Sequence, residues 1–167
     1  MTSSADQPLA GTELVLLAQV PRGKNRWQQT HFNLDVASTF FRLTPGSEKQ
    51  ITLERVDAVG ELHEAVSRKL VLSDVNRNAK IEFGFGDVKE YPSDGRPLLL
   101  VLELDLRTFR YQALMPRDVG YNEMLELNRS LPPVGRGLPR GLTTLEEVEA
   151  HWPGCKIRSP TRSQPSL

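Results

Sequence analysis

Cysteine is nearly missing from this chain. Cys155 stands alone among 167 residues, so no internal disulfide braces the fold and no thiol pair holds a metal. Net charge is missing as well, with 21 Lys+Arg against 21 Asp+Glu, which disfavours functions that depend on a strong overall field, such as loose coating of nucleic acid. Binding has to come from local patches. No apolar run approaches the roughly 20 residues that span a bilayer, and the opening MTSSADQPLAGTE has neither a basic leader nor an apolar stretch for export. A cytoplasmic protein with no membrane partner is expected. Histidine is sparse, and His31, His63 and His151 share no metal-ligand spacing. A G-x-S-x-G elbow, an H-E-x-x-H pair, a Walker loop and a Rossmann glycine fingerprint are all absent, which removes the common hydrolase and nucleotide-binding readings. No cofactor and no metal are implied.

What is present is a chain of one-domain length, 38% hydrophobic and 25% charged, able to bury roughly 70% of its unfolded surface. The expected organisation is a flexible tail over 1–12, one domain over 13–158 and a second flexible tail over 159–167, because both ends are rich in Ser, Thr, Pro and Gln. Period-two alternation dominates between them. Ile81, Phe83 and Phe85 share one face, as do Phe109, Tyr111, Ala113 and Met115. Pro97 to Arg107 reads as the central strand, with Leu98, Leu100, Leu102, Leu104 and Leu106 on one side. Leu14 to Val20, His31 to Val36, Ile51 to Val56 and Arg68 to Ser73 bring the expectation to about seven strands.

Helical spacing predicts three short helices: one within Val36 to Leu43, one over Tyr121 to Leu131 stopped by Pro132-Pro133, and one after a Thr143/Glu146 capping box. The expected class is mainly β, an open barrel-like sheet with short helices at its ends.

Two basic, amide-rich segments point to DNA. Pro21 to His31 carries Arg22, Lys24 and Arg26 with no acidic residue, and adds Asn25, Trp27, Gln28, Gln29, Thr30 and His31. Ser73 to Lys80 clusters Asn76, Arg77, Asn78 and Lys80. Arginine and lysine neutralise phosphates or grip guanine edges, and asparagine and glutamine match the donor–acceptor pair of adenine. The competing reading for each segment alone is a solvated turn, since Asn-Arg-Asn is good turn chemistry. A third basic stretch, Val134 to Gly141, places Arg136 and Arg140 in a Gly/Pro connection, where a linker is the simpler reading.

The best catalytic candidate is the acidic set Asp87, Glu103 and Asp105, because alternate carboxylates on a strand project together and hold a divalent cation for phosphodiester hydrolysis. It resembles the acidic core of PD-(D/E)XK nucleases. It departs from them at Arg107, where that family carries a lysine; arginine cannot lose its proton to activate water. Cross-strand ion pairs are the competing explanation of Glu103 and Asp105.

The order of parts resembles the B3-like DNA-binding pseudobarrel of plant transcription factors and of the recognition domains of EcoRII-type restriction endonucleases. The resemblance runs through RGKNRWQQTH, FNLDVASTFFRL, RKLVLSDVNRNAKI and SDGRPLLLVLELD, covering most of Glu13 to Pro116 in pattern. It implies an open seven-stranded barrel with a helix at each mouth and two arms that grip the major groove of double-stranded DNA. Arg22 to His31 matches the first arm, and Asn76 to Lys80 the second. It also implies a non-catalytic module of a restriction or prokaryotic defence system, working with a nuclease subunit or a fused nuclease domain. The alternatives are the metal-dependent nuclease above and a protein-interaction domain that docks through Tyr121 to Leu131 and Thr143 to Trp152 without touching nucleic acid.

Overall fold

The computed structural model describes residues 13–22, 27–75, 77–86, 88, 90–134 and 140–162. Seven of its strands fall where alternation places them: β1 (Leu14–Gln19), β2 (Gln29–Asn33), β3 (Glu48–Val56), β5 (Val66–Val71), β6 (Asn78–Glu82), β7 (Leu98–Glu103) and β8 (Thr108–Leu114). Three more, β4 (Glu61–Leu62), β9 (Arg140–Thr144) and β10 (Thr161–Arg162), are two to five residues long. The helices are α1 (Leu34–Thr39), α2 (Tyr121–Ser130) and α3 (Leu145–His151). The fold is mainly β with short helices. Its larger sheet is mixed and unclosed, in the order β10-β4-β3-β8-β7-β1-β9, with β5 also on β3; β2 and β6 form a separate ribbon.

Both faces of the central strands are covered, so β1 and β7 read as continuous apolar runs. Leu16, Ala18, Leu99 and Val101 point into one core with Phe32, Phe41, Phe83 and Phe109, beneath the β2–β6 ribbon and α1. Val15, Leu17, Leu98 and Leu100 point into the other, which α2 and α3 close with Met124, Leu127, Val148 and Trp152. Burying the large side chains on both faces is the main stabilising term, at about 1.5–3 kcal/mol each.

Several boundaries differ from the sequence reading. The second strand runs over Gln29–Asn33 rather than His31 to Val36, because the Asn33 side chain accepts from the Val36 amide at 2.9 Å and starts α1, and β6 ends at Glu82 rather than Gly86. β7 ends at Glu103, because Leu104 and Asp105 turn back to Thr108 through backbone bonds of 2.9 and 3.2 Å; Leu104 and Leu106 are exposed there. The α3 cap is Thr144 rather than Thr143, its hydroxyl accepting from the Glu147 amide at 3.2 Å. Arg140 to Thr144 is a strand on β1 rather than a linker between helices. The chain after Arg158 is also engaged, since Thr161 and Arg162 lie parallel on Glu61 and Leu62. Before that point, Arg110 fixes the backbone by donating to the Ile157 and Arg158 carbonyls at 3.0 Å each.

Candidate nucleic-acid interface

The C-terminal ends of the two basic segments, Gln29 to His31 and Asn78 to Lys80, meet in the ribbon. Its antiparallel register sets Gln29 opposite Glu82, His31 opposite Lys80 and Asn33 opposite Asn78. Alternation sends Thr30, Phe32, Ala79 and Ile81 into the core and leaves the other positions on the outer face. The ribbon continues toward β5 through an isolated bridge between Leu72 and Ala79, and then the strands separate. A groove of about 460 Å³ opens at this point, lined by Gln29, Lys69, Val71, Ser73, Asn78 and Lys80.

The groove's polar groups are poised outward. The Gln29 and Asn78 side-chain amides make no hydrogen bond among the described residues, and Lys80 has no ion pair there. Lys69 reaches Glu48 at 3.3 Å with both side chains about 60% exposed, a pair of the kind worth less than about 1 kcal/mol, so its ammonium is readily diverted to a phosphate. Arg77, exposed on the turn into β6, holds φ +57 in the left-handed region. This turn is closed by the Arg77 amide on the Ser73 carbonyl at 3.0 Å.

His31 sits between cations. Partial burial first, then the Lys80 and Arg140 charges, hold its imidazole below the ordinary value, so it is neutral near pH 7. Arg140 is almost fully buried, donates from Nη2 to the His31 carbonyl at 2.8 Å, and lies 5.6 Å over the Phe32 ring; its Nε has no partner among the described residues. This guanidinium therefore ties β9 to the ribbon from beneath and adds positive charge under its outer face.

Other residues singled out from the sequence go elsewhere. Trp27 is buried, packed 4.7 Å from Phe85 and 5.4 Å from Tyr91, so it offers no ring to a base. Gln28 donates to the Val88 carbonyl at 2.8 Å, which uses its amide to fasten the strand entry. Arg22 is exposed and stands 5.8 Å from the Tyr91 ring centroid. Lys24, Asn25, Arg26, Asn76, Asp87 and Arg136 lie outside the described residues.

Glu103 and Asp105 do not share a strand face. Arg42 grips Glu103 through two bonds of 3.1 and 3.2 Å, and Asp105, in the turn, accepts from the Arg107 amide at 2.8 Å. This amide, more than the Thr108 contacts or the Lys49 charge, holds the Asp105 carboxyl below its ordinary value. Both acids are thus occupied with structural partners. Among the described residues, no three His, Cys, Asp or Glu gather as a metal set.

Lys69, a cation just before the second basic segment, and Val71 reach the groove through the β3–β5 pairing, which turns them toward the ribbon. Alternation along Arg68 to Ser73 separates them from Leu70 but does not say what lies across the gap.

No family model matches the chain, and no curated protein matches it. Among solved structures it is similar to the N-terminal domain of Helicobacter pylori LlaJI.R1, with 12% identity over 78% of this chain and 97% of that chain and a TM-score of 0.47. Among the described residues no helix is long and apolar enough to cross a membrane.

Proposed function

We propose that this chain is a non-catalytic recognition domain for double-stranded DNA, with the β2–β6 ribbon and the facing edge of β5 as its contact surface. The observation that carries this reading is the register that sets Gln29 and His31 of the first segment beside Asn78 and Lys80 of the second on one outer face, beside a groove. A two-stranded ribbon is narrow enough to enter the major groove, about 12 Å wide. Lys69, Lys80 and Arg77 then meet phosphates, and Gln29 and Asn78, whose amides have no competing partner among the described residues, meet base edges. Following the B3-like resemblance, the module serves a restriction or defence system by delivering a nuclease subunit or fused nuclease domain to its site.

The test is fluorescence-anisotropy binding to a randomised duplex pool across a salt series, with sequencing of the retained fraction. Enrichment of a short motif is expected. Gln29→Ala and Asn78→Ala are each expected to blur one position of that motif, reducing discrimination there by about 1–3 kcal/mol while leaving the salt slope alone. An unenriched pool, or no retention at low salt, overturns the reading.

The His31 environment adds a pH dependence. Its native value is depressed, so the native state binds fewer protons than the unfolded chain, and His31 subtracts stability as pH falls below about 6.5. A DNA phosphate placed over the ribbon reverses the local field and favours the imidazolium. Duplex affinity is therefore expected to rise several-fold between pH 7.5 and about pH 5.5, with proton uptake, and His31→Gln is expected to flatten that rise. Anisotropy titrations at fixed ionic strength check it, and an equal rise in His31→Gln removes His31 from the interface.

A further inference from the structure

A second concavity lies where the ribbon and the larger sheet part. The ends of β3 and β8 and the Gly84–Gly86 loop that follows β6 enclose a pocket of about 360 Å³, within the roughly 300–1,000 Å³ of small-ligand sites. Its lining mixes two chemistries. Val56, Phe85, Val88, Ala113 and Met115 are apolar. Arg55, His63 and Asp57 are polar.

The polar lining has one uncommitted cation. Asp57 is fully used: its Oδ1 accepts from the Val59 and Glu61 amides at 3.1 and 2.9 Å, and its Oδ2 takes His63 Nε2 at 2.8 Å. Burial pushes this carboxyl up, but the amides and the His63 ring outweigh it and hold it below its ordinary value. It thus stays ionised and spends its charge on orienting His63. Asp118, also in the lining, accepts from the Met115 amide at 2.7 Å. Arg55, half-buried on β3, has no hydrogen bond or ion pair for its guanidinium among the described residues. A guanidinium that no acid of the described residues neutralises is open to an anionic ligand.

The loop is shaped around that guanidinium. Gly86 has φ +65, and a Cβ there would lie 3.2 Å from Arg55 Nη1, so a glycine lets the backbone come this close. At Gly84 the carbonyl is satisfied by the Tyr111 hydroxyl at 2.9 Å; burial raises that phenol to about 12, which keeps it a donor at all working pH values.

We propose that this pocket binds a nucleotide, with its phosphate on Arg55 and His63 and its base against the apolar lining around Phe85 and Met115. A lining that offers both apolar surface and a guanidinium fits a planar base carrying a phosphate better than it fits a free inorganic ion or an uncharged base. The nucleotide comes either free from solution or turned out of a bound DNA strand, the pocket beginning two residues past Glu82, which pairs with Gln29 of the groove. The strand source rests on the DNA-binding reading above; the free source does not.

Titration calorimetry of the full chain with adenosine 5′-monophosphate, adenosine and inorganic phosphate tests the chemistry. The monophosphate is expected to bind more tightly than either half. Arg55→Gln is expected to weaken it at least about tenfold, and Arg55→Lys less, since a point charge remains. Equal affinity for adenosine and its monophosphate, or for wild type and a folded Arg55→Gln, overturns the assignment. Arg55→Lys serves the same comparison if Arg55→Gln does not fold.

A duplex with 2-aminopurine at the motif identifies the source. Fluorescence that rises on binding wild type and not on binding Arg55→Gln assigns the nucleotide to the strand. No rise, with monophosphate binding intact, assigns it to solution. Failure of both arms rejects the pocket, and this is separable from failure of the interface, because duplex binding by the wild-type chain, read by anisotropy and lost in the Lys69 and Lys80 variants, reports the ribbon without involving Arg55. Monophosphate binding without any duplex binding would keep the pocket and discard the interface.

Discussion

An alanine at Gly120 is expected to lower stability by about 3 kcal/mol and the melting temperature by roughly 6–12 °C. Gly120 precedes α2 with φ +92, a conformation that disfavours any side chain by about 1–2 kcal/mol. A Cβ there would also stand 2.3 to 2.5 Å from the Trp152 indole. Trp152 has little room to retreat, since it is nearly fully buried in the second core and its amide is bonded to the Val148 carbonyl at 2.8 Å. Overpacking of this kind typically costs about 1–3 kcal/mol. A double-mutant cycle separates the two terms. With Trp152→Leu in place, Gly120→Ala should cost only the backbone part, about 1 kcal/mol. Urea unfolding of the four proteins checks this, and a Gly120→Ala stability within about 0.5 kcal/mol of wild type would contradict the α2–α3 packing. Because the strain lies across the sheet from the ribbon, folded Gly120→Ala should bind duplex DNA as wild type does.

The parts legible in the sequence are those with a local period. Ile51 and Leu53, or Phe109 and Tyr111, declare their strands because a half-buried strand repeats every two residues. β1 and β7 were legible as strands although both their faces are apolar, because each run is short and flanked by polar residues. The misses are those in which the deciding contact is distant. Arg140 to Thr144, with its polar and glycine residues, has no strand signature of its own; its strand exists because Leu14 to Ala18 offers an edge. Leu104 and Leu106 continue an apolar alternation, yet the chain turns there, where Asp105 caps the Arg107 amide.

For the site, composition identified the two segments, and β-pairing sorted their residues. Gln28 and Gln29 are neighbours of the same type. Gln28 is spent on the Val88 carbonyl and Gln29 faces the groove, a difference that the strand's start at Gln29 decides and the residue type does not. Trp27 follows the same logic, since its apolar ring found Phe85 and Tyr91 within its own core before any base. Arg55, a pocket cation without a hydrogen-bond or ion-pair partner among the described residues, carried no signal at all, because LERVD reads as an ordinary amphipathic strand end.

The joint replacement of Lys69 and Lys80 by alanine is expected to weaken duplex binding about 30-fold at 0.15 M salt. Each lysine–phosphate contact adds about 0.9 to the slope of log K against log salt, so losing two removes about 1.8 from the slope. Referred to about 1 M salt, where counterion release no longer contributes, that difference amounts to about 1.5 log units at physiological ionic strength. The fold is expected to tolerate both changes. Lys80 is exposed on the outer face of the ribbon, and the Lys69 contact to Glu48 is a solvent-exposed pair of small worth. Anisotropy titrations from 0.05 to about 0.3 M salt measure both slope and intercept. Because the loss is electrostatic, the ranking of sequences in the enriched pool should survive, in contrast to Gln29→Ala and Asn78→Ala, which change the ranking and leave the slope. Wild-type affinity and slope in the double variant would show that phosphates do not lie along this groove, and would move the search for a DNA surface away from the ribbon altogether.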